Sequence, residues 1–208
     1  MISVVTLWNT LMQSAKSGTS GYQSAGEFNR DLASVQTSAM GLLAPQYATN
    51  TYVQELLSPF VKSVAVSLTK PTECFYFLGA TINDIAAYQI NPLQAPIYNS
   101  SPIRKPSATN PTAYFYLIGG DITYIHDGAL AGTMQYIRTP TTATIVLTPT
   151  SDPNRDYVTP TAGADLEWPE SAFNLILALM QQKLGVEMKE SLLMEVAQLG
   201  LQFEISKA

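Results

Sequence analysis

Charged side chains are scarce in this chain of 208 residues, which limits the kinds of surface it can expose to water. Asp, Glu, Lys and Arg make up 13% of the residues, about half of the roughly 25% that is usual for a soluble domain. Uncharged polar residues take their place, and no stretch is apolar enough to predict a membrane span. A subunit covered by copies of itself or by neighbouring proteins tolerates such a composition. The composition therefore predicts a component of an assembly.

The distribution of charge also bears on the choice of partner. The formal net charge is −5, and the basic residues do not cluster into a stripe that would contact successive phosphates. Direct binding of nucleic acid is therefore disfavoured. Residues 164–208 hold seven acidic and three basic side chains, which is most of the net charge. That segment is either an ordinary solvated helix face or an acidic arm for a basic partner.

Apolar residues recur at helical spacing in residues 1–63, which predicts an N-terminal helical region. Ser24 is predicted to cap the second of three helices, and the third spans about 51–59. The inward-facing residues of the three helices are Val4, Leu7, Trp8 and Leu11, then Phe28, Leu32, Val35 and Ala39, then Val53, Leu56 and Leu57.

The pattern changes to short β-rich runs in residues 64–150, which predicts an antiparallel, sandwich-like insertion. Gly119-Gly120-Asp121 is predicted to form a tight hairpin turn. The segment 91–111 is too rich in proline for a central strand and is predicted to run over the surface. The predicted strands are 64–68, 75–82, 113–118, 122–126, 133–138 and 142–147.

Residues 151–164 are predicted to form a loop, and 165–208 a helical hairpin and tail that packs with 1–63. Pro169 suits the start of the first helix, and Gly185 is predicted to end it. The fold class is therefore α+β, a helical bundle built from both chain ends with a central β-rich insertion. The apolar stripes of the hairpin are Phe173, Ile176, Leu177, Met180 and Leu184, then Leu192, Val196, Leu199 and Phe203.

The residues that usually carry chemistry are few. The single histidine, His126, precedes Asp127-Gly128 and is predicted to be a turn residue. The single cysteine, Cys74, lies in an apolar run and is predicted to be a buried thiol. Pairs of Asp, such as Asp121 with Asp127 or Asp152 with Asp156, lie in turns where Asp caps the backbone. The chain is therefore predicted to be non-catalytic, with no metal and no cofactor, and its first residues do not predict a secretory leader.

Three segments carry a resemblance to a known class of proteins: the proline-punctuated Ser101-Pro102-Ile103-Arg104-Lys105-Pro106, then Met134-Gln135-Tyr136-Ile137-Arg138-Thr139-Pro140, then Asp165-Leu166-Glu167-Trp168-Pro169-Glu170. In this order, after an N-terminal helical region, they resemble structural proteins of tailed bacteriophages of Bacteroidetes hosts, including crAss-like phages. The nearest functional class is the head-to-tail connector, or adaptor.

The resemblance implies a homo-oligomeric ring, commonly of twelve copies, below the portal protein at the portal vertex of the virion. It implies contacts with the portal and with tail or other connector rings, assembly in the host cytoplasm, and passage of genomic DNA through the lumen without specific binding. No membrane partner is expected. The residues expected at these contacts are Leu201, Phe203, Glu204 and Ile205 toward the portal, and Pro102, Ile103, Arg104 and Pro106 toward a neighbouring ring.

Several alternatives stay open. The alternative for Leu201, Phe203 and Ile205 is that they complete the core of their own hairpin. A second position in the same virion is a tail-completion or terminator ring, or a capsid-associated protein. A hydrolase is the least favoured, because acid and base residues are few. A carbohydrate-binding β-module would use the tyrosines as stacking platforms, although aromatics at strand spacing are more often core: Tyr76, Tyr88, Tyr98, Tyr114, Tyr116, Tyr124 and Tyr136.

Overall fold

The computed structural model describes residues 1–16, 24–149 and 158–188 of the chain. It is an α+β structure, as predicted, and it divides into two compact units. The helical unit comprises Met1–Pro59 and Pro140–Ala208, and the β unit comprises Phe60–Thr139. The helices and strands are α1 Val4–Lys16, α2 Ala25–Leu43, α3 Thr51–Leu57, β1 Val61–Ala65, β2 Cys74–Ile82, β3 Ile85–Gln89, α4 Ala95–Ser100, β4 Ala113–Ile118, β5 Asp121–Ile125, β6 Gly132–Arg138, β7 Thr144–Pro149, β8 Val158–Ala164 and α5 Phe173–Met188.

The two parts of the helical unit are joined where the start of the chain pairs with the segment before α5. The backbone N–H of Ile2 donates to the carbonyl of Trp168 at 3.0 Å, and that of Leu166 donates to Ile2 at 3.1 Å. The Asp165 carboxylate accepts from the backbone N–H of Val4 at 3.0 Å. It thereby satisfies an N–H at the start of α1, where the helix dipole favours negative charge.

The first two helices confirm the predicted pattern. Ser24 caps α2 by accepting from the backbone N–H of Glu27, whose carboxylate accepts in return from the Ser24 N–H. The predicted inward residues of α1 and α2 are buried, and the rings of Trp8 and Phe28 meet edge to face at 4.9 Å between centroids. Packing of these apolar faces supplies the stability that helices rich in Ser and Thr lack on their own.

Helix α5 departs from the prediction in two ways. It continues through Gly185 to Met188, because a glycine inside a helix costs only about 1 kcal/mol relative to Ala. Leu175, Ala178 and Leu179 are buried although they lie outside the predicted stripe, so α5 is covered on more than one side. Polar contacts link it to its neighbours, with Gln181 donating to Ser14 on α1 and Lys183 paired with buried Asp31 on α2.

The β unit is a curled six-stranded sheet with the order β1-β6-β2-β3-β4-β5. β1 pairs with β6, and the chain that follows β1 crosses to the start of β5. There the Ile122 N–H donates to the Leu68 carbonyl at 2.8 Å, and the Lys70 N–H donates to the Gly120 carbonyl at 2.9 Å. This crossing joins the two edges of the sheet at one corner. The enclosed face is apolar and contains Ala80, Phe115, Ile122 and Met134.

The sheet is mixed, whereas an antiparallel one was predicted. β3 was not predicted at all, and it pairs in parallel with β4. Parallel neighbours need a long crossover, and the proline-rich segment provides it, with α4 inside it. This segment is therefore a surface excursion, as predicted, but it also determines the strand direction.

Two hairpins in the sheet are set by residues that tolerate positive φ. Gly119 and Gly120 link β4 to β5 as predicted, with Ile118 paired to Asp121. Asn83 and Asp84, with φ of 50° and 63°, link β2 to β3 in a two-residue turn. Gly132 is required for another reason, because a Cβ there would lie 1.9 Å from the Thr81 carbonyl oxygen.

The predicted strand 142–147 is present as β7, but it belongs to the helical unit. Its partner β8 covers Val158–Ala164, within the segment predicted as a loop, so that prediction was wrong there. Thr, Pro, Ala and Gly give β8 a loop-like composition, and pairing with β7 outweighs it. The first strand of the β unit also begins earlier than predicted, at Val61.

The outer edge of β7 is covered by one side chain of α2. The Asn29 amide donates to the Ile145 carbonyl at 3.1 Å and accepts from the Ile145 N–H at 2.8 Å. Both bonds imitate those of a neighbouring strand, and they fix β7 against the helix.

Asn29→Ala is expected to lower the free energy of unfolding by about 1–3 kcal/mol, because it leaves two buried backbone groups of Ile145 unpaired. Urea unfolding followed by circular dichroism measures the change. Asn9→Ala is the matched control, since Asn9 is an exposed residue of α1 in the same unit. A loss no larger than that of Asn9→Ala would contradict the role of this contact.

Candidate interaction surfaces

The proline-rich segment is held in a defined shape by its own polar residues. Asn91 accepts from the backbone N–H of Leu93 and starts a 3-10 turn over Pro92–Gln94, which leads directly into α4. Asn110 closes the segment by donating to the carbonyls of Ile103 and Lys105 at 3.0 and 3.2 Å. The side chains of this segment are therefore presented on an organised backbone.

The four residues predicted to contact a neighbouring ring divide into two groups. Pro102, Ile103 and Arg104 are exposed, and Ile103 has 83% of its surface accessible. Pro106 is buried. Three of the predicted residues are thus accessible to a partner and the fourth is not.

Exposed side chains of this segment, the exposed Tyr88 and the half-buried Tyr98 and Tyr114 together make up a surface that we call the tyrosine face. Arg104 lies over the ring of Tyr98 at 5.5 Å, and Tyr98 contacts Tyr114 at 4.5 Å between centroids. Tyr88 extends the group, with its ring 6.4 Å from Tyr114. The tyrosine face consists of Tyr88, Leu93, Ile97, Tyr98, Ile103, Arg104, Lys105 and Tyr114.

Sheet alternation explains why this face carries the tyrosines. Tyr114 and Phe115 are consecutive in β4 and point to opposite sides of the sheet. Phe115 enters the enclosed core, while Tyr114 packs with Ile90, Ala95 and Ile125 under α4. The seven tyrosines are therefore not one platform, since Tyr136 is only 1% exposed whereas Tyr88 is 62% exposed.

A polar network surrounds Glu73, in the part of the sheet formed by β1, β6 and β2. Its carboxylate accepts from Lys62 Nζ at 2.8 Å and from the Tyr136 hydroxyl at 2.7 Å. The hydrogen bonds from Lys62 and then Tyr136 hold the pKa of Glu73 below its usual value. Burial, together with the bond to Glu73, raises the pKa of Tyr136 to about 12. The network ties β1, β6 and the start of β2 together.

His126 lies directly after β5, beside the bend at Asp127 and Gly128. It lines a small open cavity of about 160 Å³ with polar neighbours that include Asn83, Ser107 and Thr112. Its Nδ1 is 3.4 Å from the Asp127 carbonyl, which is a long contact. Cys74 is buried, as predicted, and burial raises the pKa of its thiol.

The residues predicted to contact the portal, Leu201, Phe203, Glu204 and Ile205, lie outside the described residues. Within residues 1–16, 24–149 and 158–188, no group of three or more His, Cys, Asp or Glu residues is arranged to hold a metal ion. Over the same ranges, no helix has the length and apolar character needed to cross a bilayer. The comparisons with protein-family models and with curated proteins gave no match.

The raised pKa of Tyr136 gives a prediction for alkaline solution. The pKa of the Tyr136 hydroxyl is about 12 in the folded chain, against the ordinary value of 10 in the unfolded chain. The protonated hydroxyl therefore stabilises the fold below pH 10, and this contribution is lost as the pH rises toward 12. Urea titration measures this loss as a decrease in the free energy of unfolding between pH 10 and pH 12. The decrease is expected to be smaller for Tyr136→Phe than for the unsubstituted chain. Part of the decrease stays, because burial also raises the pKa of Tyr124 to about 12.

Tyr88→Phe is the control for this experiment, because its ring is largely exposed. It should keep the pH dependence of the unsubstituted chain. If Tyr136→Phe kept it as well, the hydroxyl would not be buried and bonded to Glu73 as described.

Asn110→Ala is expected to open the proline-rich segment, because two of its hydrogen bonds are lost. Limited digestion with trypsin at the Arg104–Lys105 bond measures the opening. Cleavage should accelerate roughly 5- to 30-fold, as expected for a local destabilisation of about 1–2 kcal/mol. Asn99→Ala, at an exposed residue of α4, should be cleaved at the original rate. Equal rates for both variants would show that Asn110 does not hold the segment.

Proposed function

We propose that this chain is a non-catalytic virion structural protein, the subunit of a head-to-tail connector ring between the portal and the tail of a tailed bacteriophage. It is assembled in the host cytoplasm and incorporated at the portal vertex. Its partners are copies of itself, the portal protein and tail or other connector rings. Genomic DNA passes through the lumen without specific binding.

The observation that carries this proposal is the way the chain is divided. The helical unit is made of both chain ends, and the β unit is inserted between Pro59 and Pro140. Known adaptors of some short-tailed phages combine a helical bundle from both chain ends with a β-rich insertion. The agreement concerns architecture, and it supports the proposal together with the sequence segments that carry the resemblance.

The character of the surface gives further support. The strands β7 and β8 together contain thirteen residues and no charged side chain, and residues 161–164 and Val146 are exposed. An uncharged exposed ribbon of this kind suits a contact with another protein. Ring subunits make such contacts on both flanks. The portal contact is assigned to Leu201, Phe203, Glu204 and Ile205, and the contact with a neighbouring ring to Pro102, Ile103 and Arg104.

Electron microscopy of intact virions of a phage that encodes this chain tests the proposal. We expect the chain to account for a symmetric ring of density between the portal and the tail. Density elsewhere in the particle would replace the connector by a tail-terminator or capsid-associated role. Absence from the particle would refute the whole class of virion functions.

A further inference from the structure

The tyrosine face is positively charged, and nothing in its sequence neighbourhood compensates for that charge. Between Asp84 and Asp121 the chain has no acidic residue, and its only charged residues there are Arg104 and Lys105. Both are exposed, and neither forms an ion pair with another residue in the described part of the chain. The face therefore offers two cations to a partner.

The same face also exposes three large aliphatic side chains to solvent. Leu93 is 86% exposed, Ile103 is 83% exposed and Ile97 is 51% exposed. They lie on a segment held by the hydrogen bonds of Asn91, Ser101 and Asn110, so little ordering is needed when a partner binds. Large exposed apolar groups that lie close together in the sequence of one ordered segment favour an interaction site.

The helical unit carries the opposite charge. Its sequence contains twelve acidic and six basic residues, against four and five in the β unit. Two exposed carboxylates lie where α3 meets the turn before α5, since the Tyr52 hydroxyl donates to the Ser171 carbonyl at 3.4 Å. Glu55 is one turn beyond Tyr52 on α3, and Glu170 is next to Ser171.

We call Glu55, Glu170 and the neighbouring Met1 the acidic corner. Neither carboxylate is ion-paired within the described residues. Met1 is 80% exposed, and it lies beside this turn because Ile2 pairs with Trp168. The corner thus holds two carboxylates against the single α-amino group of Met1, so it stays negative, and it adds a flexible apolar side chain that complements the tyrosine face.

We propose that the tyrosine face of one copy binds the acidic corner of a second copy of this chain. Arg104 and Lys105 meet Glu55 and Glu170, while Leu93, Ile97 and Ile103 cover the apolar part of the contact. The contact is heterologous, because a different surface is used on each copy. It deepens the proposed function, assigning Ile103 and Arg104 to a neighbouring copy within the ring in place of a neighbouring ring. It rests on the proposed function for the closure of successive contacts into a ring.

A protein partner suits this face better than a sugar. Sugars stack on flat exposed aromatic rings, and here the most exposed side chains are the aliphatic Leu93 and Ile103. Tyr98, in addition, is already covered on one side by Arg104. The unlike net charges of the two units then favour a second copy of the chain over an unrelated acidic protein.

Exchange of charge between two variants tests the contact. Arg104→Glu with Lys105→Glu makes the tyrosine face negative, and Glu55→Lys with Glu170→Lys makes the acidic corner positive. Each double variant alone brings like charges together, so its self-association, measured by analytical ultracentrifugation of the full chain, should weaken by about tenfold or more. Added salt should weaken the association of the unsubstituted chain.

A mixture of the two double variants is the decisive sample. In alternating order each negative face meets a positive corner and each negative corner meets a positive face, so association should return. This rescue requires a contact between copies, because a contact within one chain stays mismatched in both variants. A mixture that stays dissociated, or an unsubstituted chain that does not associate, would overturn the proposal.

Substitution of an apolar residue tests the same contact without changing its charges. Ile103→Ser should weaken association, whereas Leu68→Ser, at a comparably exposed aliphatic residue of the same unit, should not. Circular dichroism establishes that every variant is folded. Oligosaccharide binding that Tyr88→Ala removes, in the absence of association, would assign the face to carbohydrate instead.

The test is separate from that of the proposed function. Absence of the chain from virions would refute the connector role while leaving the measured contact in place. A ring in virions together with failed charge exchange would refute this contact and keep the connector role.

Discussion

The pairing of Ile2 with Leu166 and Trp168 is the contact on which the helical unit depends. It brings together two segments more than 160 residues apart in sequence, and Asp165 strengthens it by capping α1. Closing so long a loop costs conformational entropy, and the burial of the apolar faces of α1, α2 and α5 offsets that cost. Once it forms, α1, α2 and α5 can bury their apolar faces against one another, and the intervening chain must fold as an insertion.

The parts of this fold that were predictable have strong local signals. The α2 helix has Ser24 and Glu27 at the spacing of a capping box, followed by an apolar stripe. The β4–β5 hairpin has two glycines between alternating strands. In each case the residues that determine the structure lie within a few positions of one another, so a single segment contains the information.

Other parts depend on partners that are distant in sequence. β3 is a short run that begins at a turn formed by Asn83 and Asp84, which lacks a glycine, and its parallel pairing depends on a crossover of more than twenty residues. β8 has the composition of a loop and becomes a strand because β7 is beside it. Of the candidate site, Ile103 and Arg104 were identified from the sequence, but the surrounding tyrosine face and the acidic corner required the fold.

The two ends of the β unit lie side by side, since Val61 is paired with Ile137 in adjacent strands. In such a pair the Cα atoms are only about 4.5–5.5 Å apart, so the unit leaves the rest of the chain through a narrow stem. Its size and shape can therefore vary in evolution, or be exchanged by recombination, without lengthening or straining the connection. A module that carries one surface of a contact can in this way diverge independently of the scaffold that holds it.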